Sequence, residues 1–119
     1  MPRYLLLLNE SEEAYTADPE LSLERVMAMH KDFQAEVVAR GGTVLAGEAL
    51  EPVATATFLR NTRSDRVVAV DNPSPDVKEA LGGFYLIEAR DAAHARELAE
   101  LCPAPAGHIE LRPAWDIPS

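Results

Sequence analysis

The sequence is poor in the residues that would link it to disulfides, nucleic acids or membranes. Cys102 is its only cysteine, which excludes an internal disulfide and a metal site built from several cysteines. Lys and Arg total 11 against 20 Asp and Glu, and the resulting net charge of −9 repels phosphate backbones and anionic membrane surfaces. We therefore expect neither nucleic acid nor a membrane as a partner.

Long apolar runs are also missing. The run Tyr4 to Leu8 is far too short to cross a bilayer or to form the apolar part of a signal peptide, so we expect a cytoplasmic protein. A chain of 119 residues with 47% hydrophobic and 26% charged residues is typical of one folded domain, residues 1–119. Such a domain can fold without a disulfide or a metal.

The apolar pattern predicts strands and helices in a recognisable order. The predicted strands are 3–8, 43–50, 82–89 and 108–113, the predicted helices are 21–40 and 91–101, and a hairpin joins 54–60 to 66–71. The acidic stretch 9–20 has no apolar period and is predicted to be a loop. This order indicates an α+β fold, a ferredoxin-like βαββαβ sandwich with an inserted β-hairpin.

A sheet of this kind has only two helices, which cover one of its faces. The other face would carry apolar residues from the strands at 4–8 and 84–87. A monomer would expose them as a patch of several hundred Å², so we expect a homodimer with sheet packed on sheet.

His30 is the most informative candidate residue. On a helical wheel it lies within the apolar sector between Val26, Phe33 and Val37, where an imidazole needs a hydrogen-bond partner or a cleft. One interpretation is a packed histidine bonded to a backbone carbonyl. The other is a general acid or base at the bottom of a pocket, where partial burial lowers its pKa.

Asp71 is the candidate partner of His30. It ends a predicted strand and begins a turn with Asn72 and Pro73, so its carboxylate could simply bind the amides of that turn. Alternatively, it orients the His30 imidazole at the mouth of the pocket. Their separation of 41 positions in the sequence does not decide between the two.

The remaining polar residues give weaker signals. Structural or solvated roles are expected for His94 and His108, and a solvated face for Lys78 and Glu79, which are predicted to lie in a short helix. Cys102 precedes a proline at a helix carboxyl end, where the helix dipole disfavours a thiolate.

Two further groups concern the strands. Gly82 and Gly83 begin a strand, where glycine indicates unusual backbone angles or a close approach. Glu48 and Glu110 lie inside predicted strands and could either be exposed or line the same pocket as His30.

Several motifs together resemble the YCII-related, DGPF-type domain family of bacterial proteins. They are Gly47-Glu48-Ala49-Leu50 with Pro52, Asp71 with Pro73, Leu81 to Ile87, Cys102-Pro103, and Glu110-Leu111-Arg112-Pro113. The resemblance implies the dimeric α+β barrel form of the ferredoxin-like fold. It also implies a histidine-aspartate pair as a candidate active site, with the histidine on the first helix and the acid after the second.

This sequence departs from the family pattern at two places. The Asp-Gly-Pro-Phe turn reads Asp71-Asn72-Pro73-Ser74, and Cys102-Pro103 stands where Asp-Pro is expected. His30 matches the family histidine, so Asp71 would have to supply the acid. Other members resemble accessory proteins encoded beside alternative sigma factors, which implies a possible regulatory role.

Two functional hypotheses from different classes follow. The first is an isomerase, lyase or hydrolase without cofactor or metal, in which His30 moves a proton on a small organic molecule and Asp71 orients it. The second is a non-catalytic dimer that binds a metabolite or a protein, with His30 merely buried. A pocket where His30 meets a carboxylate would favour the enzyme, and a filled core there would favour the binding module.

Overall fold

The structure is a computed structural model that describes residues 1–71 and 78–118. Six strands and three α-helices make up this part of the chain. The strands are β1 (Arg3–Glu10), β2 (Thr43–Ala49), β3 (Thr57–Arg60), β4 (Val68–Asp71), β5 (Ala80–Glu88) and β6 (Gly107–Pro113), and the helices are α1 (Glu12–Ala17), α2 (Leu23–Ala39) and α3 (Ala92–Ala99).

Four strands form one antiparallel sheet in the order β2-β5-β1-β6. Strands β3 and β4 form a separate hairpin inserted between β2 and β5. The predicted α+β, ferredoxin-like order with an inserted hairpin is therefore confirmed. The four-stranded sheet is open at β2 and β6, so a single chain does not close a barrel.

The core lies between one face of the sheet and helices α2 and α3. Alternate residues of β1 and β5 are buried on this face, because successive side chains of a strand point to opposite sides. The fully buried side chains of largest volume are Phe33, Leu6, Ile87, Leu98 and Val37. Burying each contributes on the order of 1.5–3 kcal/mol to the free energy of unfolding.

Local signals in the sequence set the ends of the main helices. The Ser22 side chain accepts a hydrogen bond from the Arg25 amide at 3.3 Å, and the predicted cap Asp91 accepts one from the His94 amide at 2.8 Å. Gly41 follows α2 with φ of +84°, a left-handed conformation that favours glycine. These residues explain why α2 and α3 begin and end close to the predicted positions.

The predicted loop at 9–20 was wrong in part. Residues 12–17 form helix α1, because the Ser11 side chain accepts a hydrogen bond from the Ala14 amide and Glu12 and Glu13 occupy the first turn.

Lys78 and Glu79 lie in a bend rather than in the predicted short helix. The rest of that segment, including the turn at Asn72-Pro73, lies outside the described residues.

Helix α2 buries a narrower stripe than its apolar sector predicts. Phe33 and Val37 are buried, whereas Leu23, Met27 and Val38 are 79%, 63% and 67% exposed. Phe33 and Val37 are one helical turn apart and form a single buried line along the helix, so the flanking apolar side chains stay at the surface.

No helix in residues 1–71 and 78–118 packs on the opposite face of the sheet. The half-buried residues Leu5, Leu7, Phe84 and Leu86 lie on it, and Leu7 is directly opposite Phe84 in the β1–β5 ladder. The described molecule is only 18 Å thick in its shortest dimension, which fits one sheet and a single helix layer. This surface is called the open face below.

Candidate functional site

His30 is half-buried on the inner side of α2 and binds a tyrosine of the sheet. Its Nδ1 atom is 2.8 Å from the hydroxyl oxygen of Tyr85, and the two ring centroids are 5.8 Å apart. Tyr85 itself is only 8% exposed. Within the described ranges, no other hydrogen bond reaches the imidazole, so its Nε2 atom has no hydrogen-bond partner there.

The Tyr85 ring is held by its neighbours on both sides. The Phe33 ring lies 4.9 Å away, centroid to centroid, at an angle of 56°. On the β2 side, Tyr85 is paired with Gly47, where a Cβ atom would lie 2.7 Å from the Cδ1 atom of the tyrosine ring. The missing side chain at Gly47 therefore leaves the space that the Tyr85 ring occupies.

An irregularity in the β1–β5 ladder lies next to Tyr85. Leu8 pairs with Gly83 and Asn9 with Leu81, which leaves Gly82 as the extra residue of a β-bulge. A Cβ atom at Gly83 would lie 2.9 Å from the carbonyl oxygen of Glu48, whereas at Gly82 it would meet nothing closer than 3.9 Å. Of the two glycines, only Gly83 permits the close backbone approach that the sequence predicts.

Partial burial favours the neutral form of the His30 imidazole. Loss of solvent lowers the pKa of His30 from its usual 6.5, and the negative charge of Glu10 partly opposes this effect. At neutral pH the ring is therefore a base. In the tautomer in which Nδ1–H donates to the Tyr85 oxygen, the lone pair is on Nε2.

Glu10 is a buried carboxylate that the sequence analysis did not single out. It is 7% exposed, and it accepts hydrogen bonds from the Tyr15 hydroxyl and, at 3.1 Å, from the Ala106 amide. Burial and the hydrogen bond to Glu10 both raise the pKa of the Tyr15 phenol. The position of Glu10 in β1 indicates its burial, because every second residue of this strand, Tyr4, Leu6, Leu8 and then Glu10, is buried.

Asp71 lies at the end of β4, in the inserted hairpin, and is exposed. Its carboxylate accepts a hydrogen bond of 3.1 Å from the hydroxyl of Thr57, the residue opposite it in the β3–β4 ladder. Among residues 1–71 and 78–118, no hydrogen bond joins Asp71 to His30. The proposed pairing of the two residues stays a prediction.

The other two histidines have hydrogen-bond partners of their own. His94 is 3% exposed, and its Nδ1 atom accepts a hydrogen bond from the Arg90 amide at 3.0 Å. Its Nε2–H therefore donates to the Arg40 carbonyl, 2.8 Å away, which joins the end of α2 to the start of α3. His108 is exposed and lies 2.9 Å from a carboxylate oxygen of Glu79.

Cys102 is buried in the turn after α3 and is a poor nucleophile. Burial, with a smaller contribution from the charge of Glu10, raises the pKa of the Cys102 thiol to about 12. The group is therefore a thiol at neutral pH, and the thiolate is the reactive form.

The ladder register places both candidate strand glutamates on the open face. Glu48 is paired with Phe84, and Glu110 is paired with Leu7. Residues directly opposite each other in an antiparallel ladder share a face of the sheet, so both glutamates lie on the side away from His30.

A surface groove runs beside His30 along α2. It has a volume of about 310 Å³ and lies between α2 and the turn after α3. Its lining residues are Met29, Asp32, Phe33, Glu36, Leu101 and Pro103. Met29 and Phe33 flank His30 in the helix, but the imidazole itself does not line this groove.

Membrane-spanning helices and metal-binding clusters are both absent from residues 1–71 and 78–118. None of the helices found there is both long enough and apolar enough to pass through a membrane. In the same residues, no group of three or more His, Cys, Asp or Glu side chains is arranged to hold a metal ion.

Comparison with known proteins gives a family match for almost the whole chain. The family model of the YCII-related domain matches residues 2–118. No curated protein matches the sequence significantly. The match agrees with the motifs around Gly47, Gly83 and Tyr85 and with the ferredoxin-like strand order. The chain therefore belongs to the YCII-related domain family.

Proposed function

We propose that this protein binds a small organic molecule at the His30–Tyr85 pair and that His30 acts there as a general base and acid. The observation that carries the proposal is the 2.8 Å hydrogen bond between a half-buried imidazole and a buried tyrosine hydroxyl. An imidazole that served only to fill the core would be fully enclosed. His30 instead keeps one ring nitrogen without a protein partner among the described residues.

The chemistry requires only proton transfer. With Nδ1–H donating to the Tyr85 oxygen, Nε2 can take a proton from a carbon or oxygen atom of the bound molecule. The resulting imidazolium returns the proton to another atom of the same molecule or to its leaving group. No electrons are gained or lost, so isomerase and lyase reactions fit the site without a cofactor, and in a hydrolase reaction Nε2 would instead take the proton from the water molecule that attacks the bound compound.

The pKa of His30 supports this role. Burial lowers it below 6.5, so the imidazole is in its basic form at neutral pH. At neutral pH, the imidazole takes up a proton more readily when the bound molecule stabilises the positive charge.

The proposal can be tested by NMR with a library of small, uncharged carbonyl compounds. Compounds that bind at the site should shift the resonances of Gly47, Phe33 and Tyr85, and His30→Gln and Tyr85→Phe should weaken the binding. His108→Gln is the matched control, because His108 is an exposed histidine on β6 rather than on α2. Binding that is equally strong in His30→Gln, or shifts confined to other surfaces, would contradict the proposed site.

Deuterium uptake then separates an enzyme from a binding module. In D2O, a general base exchanges the hydrogen next to the carbonyl of a bound compound, and His30→Gln should abolish this exchange. Binding without exchange in the wild type would favour the second candidate function, a non-catalytic module. The specific observation in favour of that candidate is the groove beside Phe33, which is lined mainly by apolar atoms and excludes His30.

We also propose that the protein is a homodimer in which the open faces of two sheets pack together. Leu5, Leu7, Phe84 and Leu86 support this arrangement, since they form an apolar surface on which no described helix packs. Two open sheets in contact would produce the barrel that one chain lacks. The cytoplasmic location stays a prediction from the sequence.

A further inference from the structure

The β3–β4 hairpin leaves apolar side chains exposed on both of its faces. Phe58 and Leu59 are neighbours in β3 and so lie on opposite faces, and they are 43% and 57% exposed. In the described part of the chain, no helix and no strand of the four-stranded sheet packs closely on this hairpin. A two-stranded hairpin is at best marginally stable alone in water, so this one needs a further contact.

The dimensions of the molecule agree with a hairpin that projects from the rest of the fold. The radius of gyration is 16.4 Å, whereas a compact chain of this length would have about 13.5 Å. No described residue of the hairpin belongs to the buried core between the sheet and helices α2 and α3. The hairpin, residues 57–71, is called the arm below.

The tip of the arm carries positive charge in an acidic protein. Residues 60–66 contain three arginines, Arg60, Arg63 and Arg66, against one acid, Asp65, although the net charge of the chain is −9. Within the described residues, none of these arginines forms an ion pair. Arg63 also has a φ of +65°, a left-handed conformation that glycine adopts at lower cost. An arginine at such a position points to a use for its side chain.

The groove between α2 and the turn after α3 has the complementary character. Its lining is mainly apolar and includes the carboxylates of Asp32 and Glu36 but no Lys or Arg. Glu36 pairs with Arg40, yet this contact is exposed and therefore weak. An apolar arm with an arginine tip matches such a groove in both polarity and charge. Because the arm packs on no described helix of its own chain, the groove that it fits is that of another copy.

We propose that the arm of one copy of this chain docks on the groove of a second copy, with its arginine tip at Asp32 and Glu36. Two-fold symmetry repeats the contact, so each copy gives one arm and receives one. The contact rests on the proposed homodimer only in needing a second copy. It does not require that the open faces pack together, and it is independent of the chemistry at His30.

Charge reversal in the full-length protein tests the arm by sedimentation at micromolar concentrations. Arg63→Glu with Arg66→Glu should weaken self-association about tenfold or more, because it places acids opposite an acidic groove. Arg25→Glu with Arg96→Glu is the control, since it changes the net charge equally at exposed arginines outside the arm. A wild-type monomer, an unaffected arm variant, or equal weakening in the control would overturn the proposal.

A mixture of reversed variants tests the pairing of arm and groove. Asp32→Lys with Glu36→Lys should also self-associate poorly, because its basic groove repels the arginine tip. Mixed with the arm variant, it should recover wild-type association, since both arm–groove contacts then join opposite charges. Glu13→Lys with Glu24→Lys changes two exposed glutamates outside the groove and should not restore association. Absent recovery, or equal recovery with this control, would overturn the proposal.

A spin label locates the arm without altering its charges. Thr62→Cys places a reactive thiol at the exposed tip, whereas Cys102 is buried and burial raises the pKa of its thiol. In a mixture with an isotope-labelled copy, the nitroxide should broaden the amide resonances of Phe33 and Leu101 more than those of the open face. Broadening at the open face instead would overturn the proposal. A dimer that Leu7→Asp dissociates, without broadening at the groove, would overturn the arm contact and leave sheet-to-sheet packing in place.

Discussion

Gly47 and Tyr85 face each other across the β2–β5 ladder, and a Cβ atom on Gly47 would lie 2.7 Å from the Cδ1 atom of the tyrosine ring. Tyr85 in turn binds His30. A glycine on an edge strand thus decides where the tyrosine hydroxyl lies, and the hydroxyl decides how the imidazole is oriented.

Gly47→Ala should displace the Tyr85 ring and disturb the hydrogen bond to His30. The added methyl group is closer to the ring than van der Waals contact allows, so we expect altered Tyr85 resonances and a changed His30 titration in NMR spectra. The loss of stability should be on the order of 1–3 kcal/mol. Gly82→Ala is the control, because a Cβ atom there has no contact below 3.9 Å. Unchanged Tyr85 resonances in Gly47→Ala would show that the ring does not depend on this glycine.

Gly83→Val should destabilise the fold through the backbone of β2. A Cβ atom at this position would lie 2.9 Å from the Glu48 carbonyl oxygen, which cannot move without breaking the ladder. We expect a loss on the order of 1–3 kcal/mol, which lowers the melting temperature by roughly 3–15 °C. Thermal unfolding followed by circular dichroism measures it, and a Gly83→Val protein as stable as Gly82→Val would refute the argument.

The stability of the protein should depend on pH through His30. Because burial lowers the pKa of His30 in the folded state below 6.5, the unfolded state binds more protons between the two values. The free energy of unfolding should therefore decrease as the pH falls through 6.5 and level off below the folded-state pKa. Above pH 6.5, His30 contributes no pH dependence.

Chemical denaturation at a series of pH values, in wild type and His30→Gln, isolates this contribution. The difference between the two curves should be flat above pH 6.5 and should change only below it. A difference that is independent of pH throughout would mean that His30 titrates as it does in the unfolded chain.

The open face should hold two copies together. Sedimentation at micromolar concentration should show a species of about twice 13.0 kDa. Leu7→Asp should shift the equilibrium to the monomer, because it places a carboxylate opposite Phe84 in the middle of the apolar surface. Met27→Asp is the control, since Met27 is a 63% exposed apolar residue on the helix side. A wild-type monomer, or dissociation that is equal in both variants, would count against sheet-to-sheet packing.

Much of the fold could be predicted from the sequence because its signals are local. Apolar runs indicated β1 and β5, alternating apolar residues indicated β6, and the caps at Asp91 and Gly41 marked helix ends within a few residues. The predicted loop at 9–20 failed where a short helix without an apolar period is stabilised by a serine cap and by contacts with β1 and Val53. Such contacts between distant residues leave no periodic pattern.

The candidate site was only partly predictable. The helical wheel indicated that His30 lies on the inner side of α2, because that depends on the spacing of residues within one helix. Its partner Tyr85 is 55 residues away, and the buried carboxylate that acts on it, Glu10, was assigned to a polar loop. Asp71 was instead chosen because it ends a strand, and its observed partner is Thr57 of its own hairpin.

The sequence by itself determined the class of fold, the helix and strand order, the family and the inner position of His30, because each depends on residue types and their spacing along the chain. The tertiary structure alone decided which polar groups meet. The sheet order β2-β5-β1-β6 brings Gly47 beside Tyr85, and the packing of α2 on that sheet places His30 against the tyrosine hydroxyl. The physical reason is that hydrogen bonds and charges act over a few ångströms in space, whatever the separation along the chain.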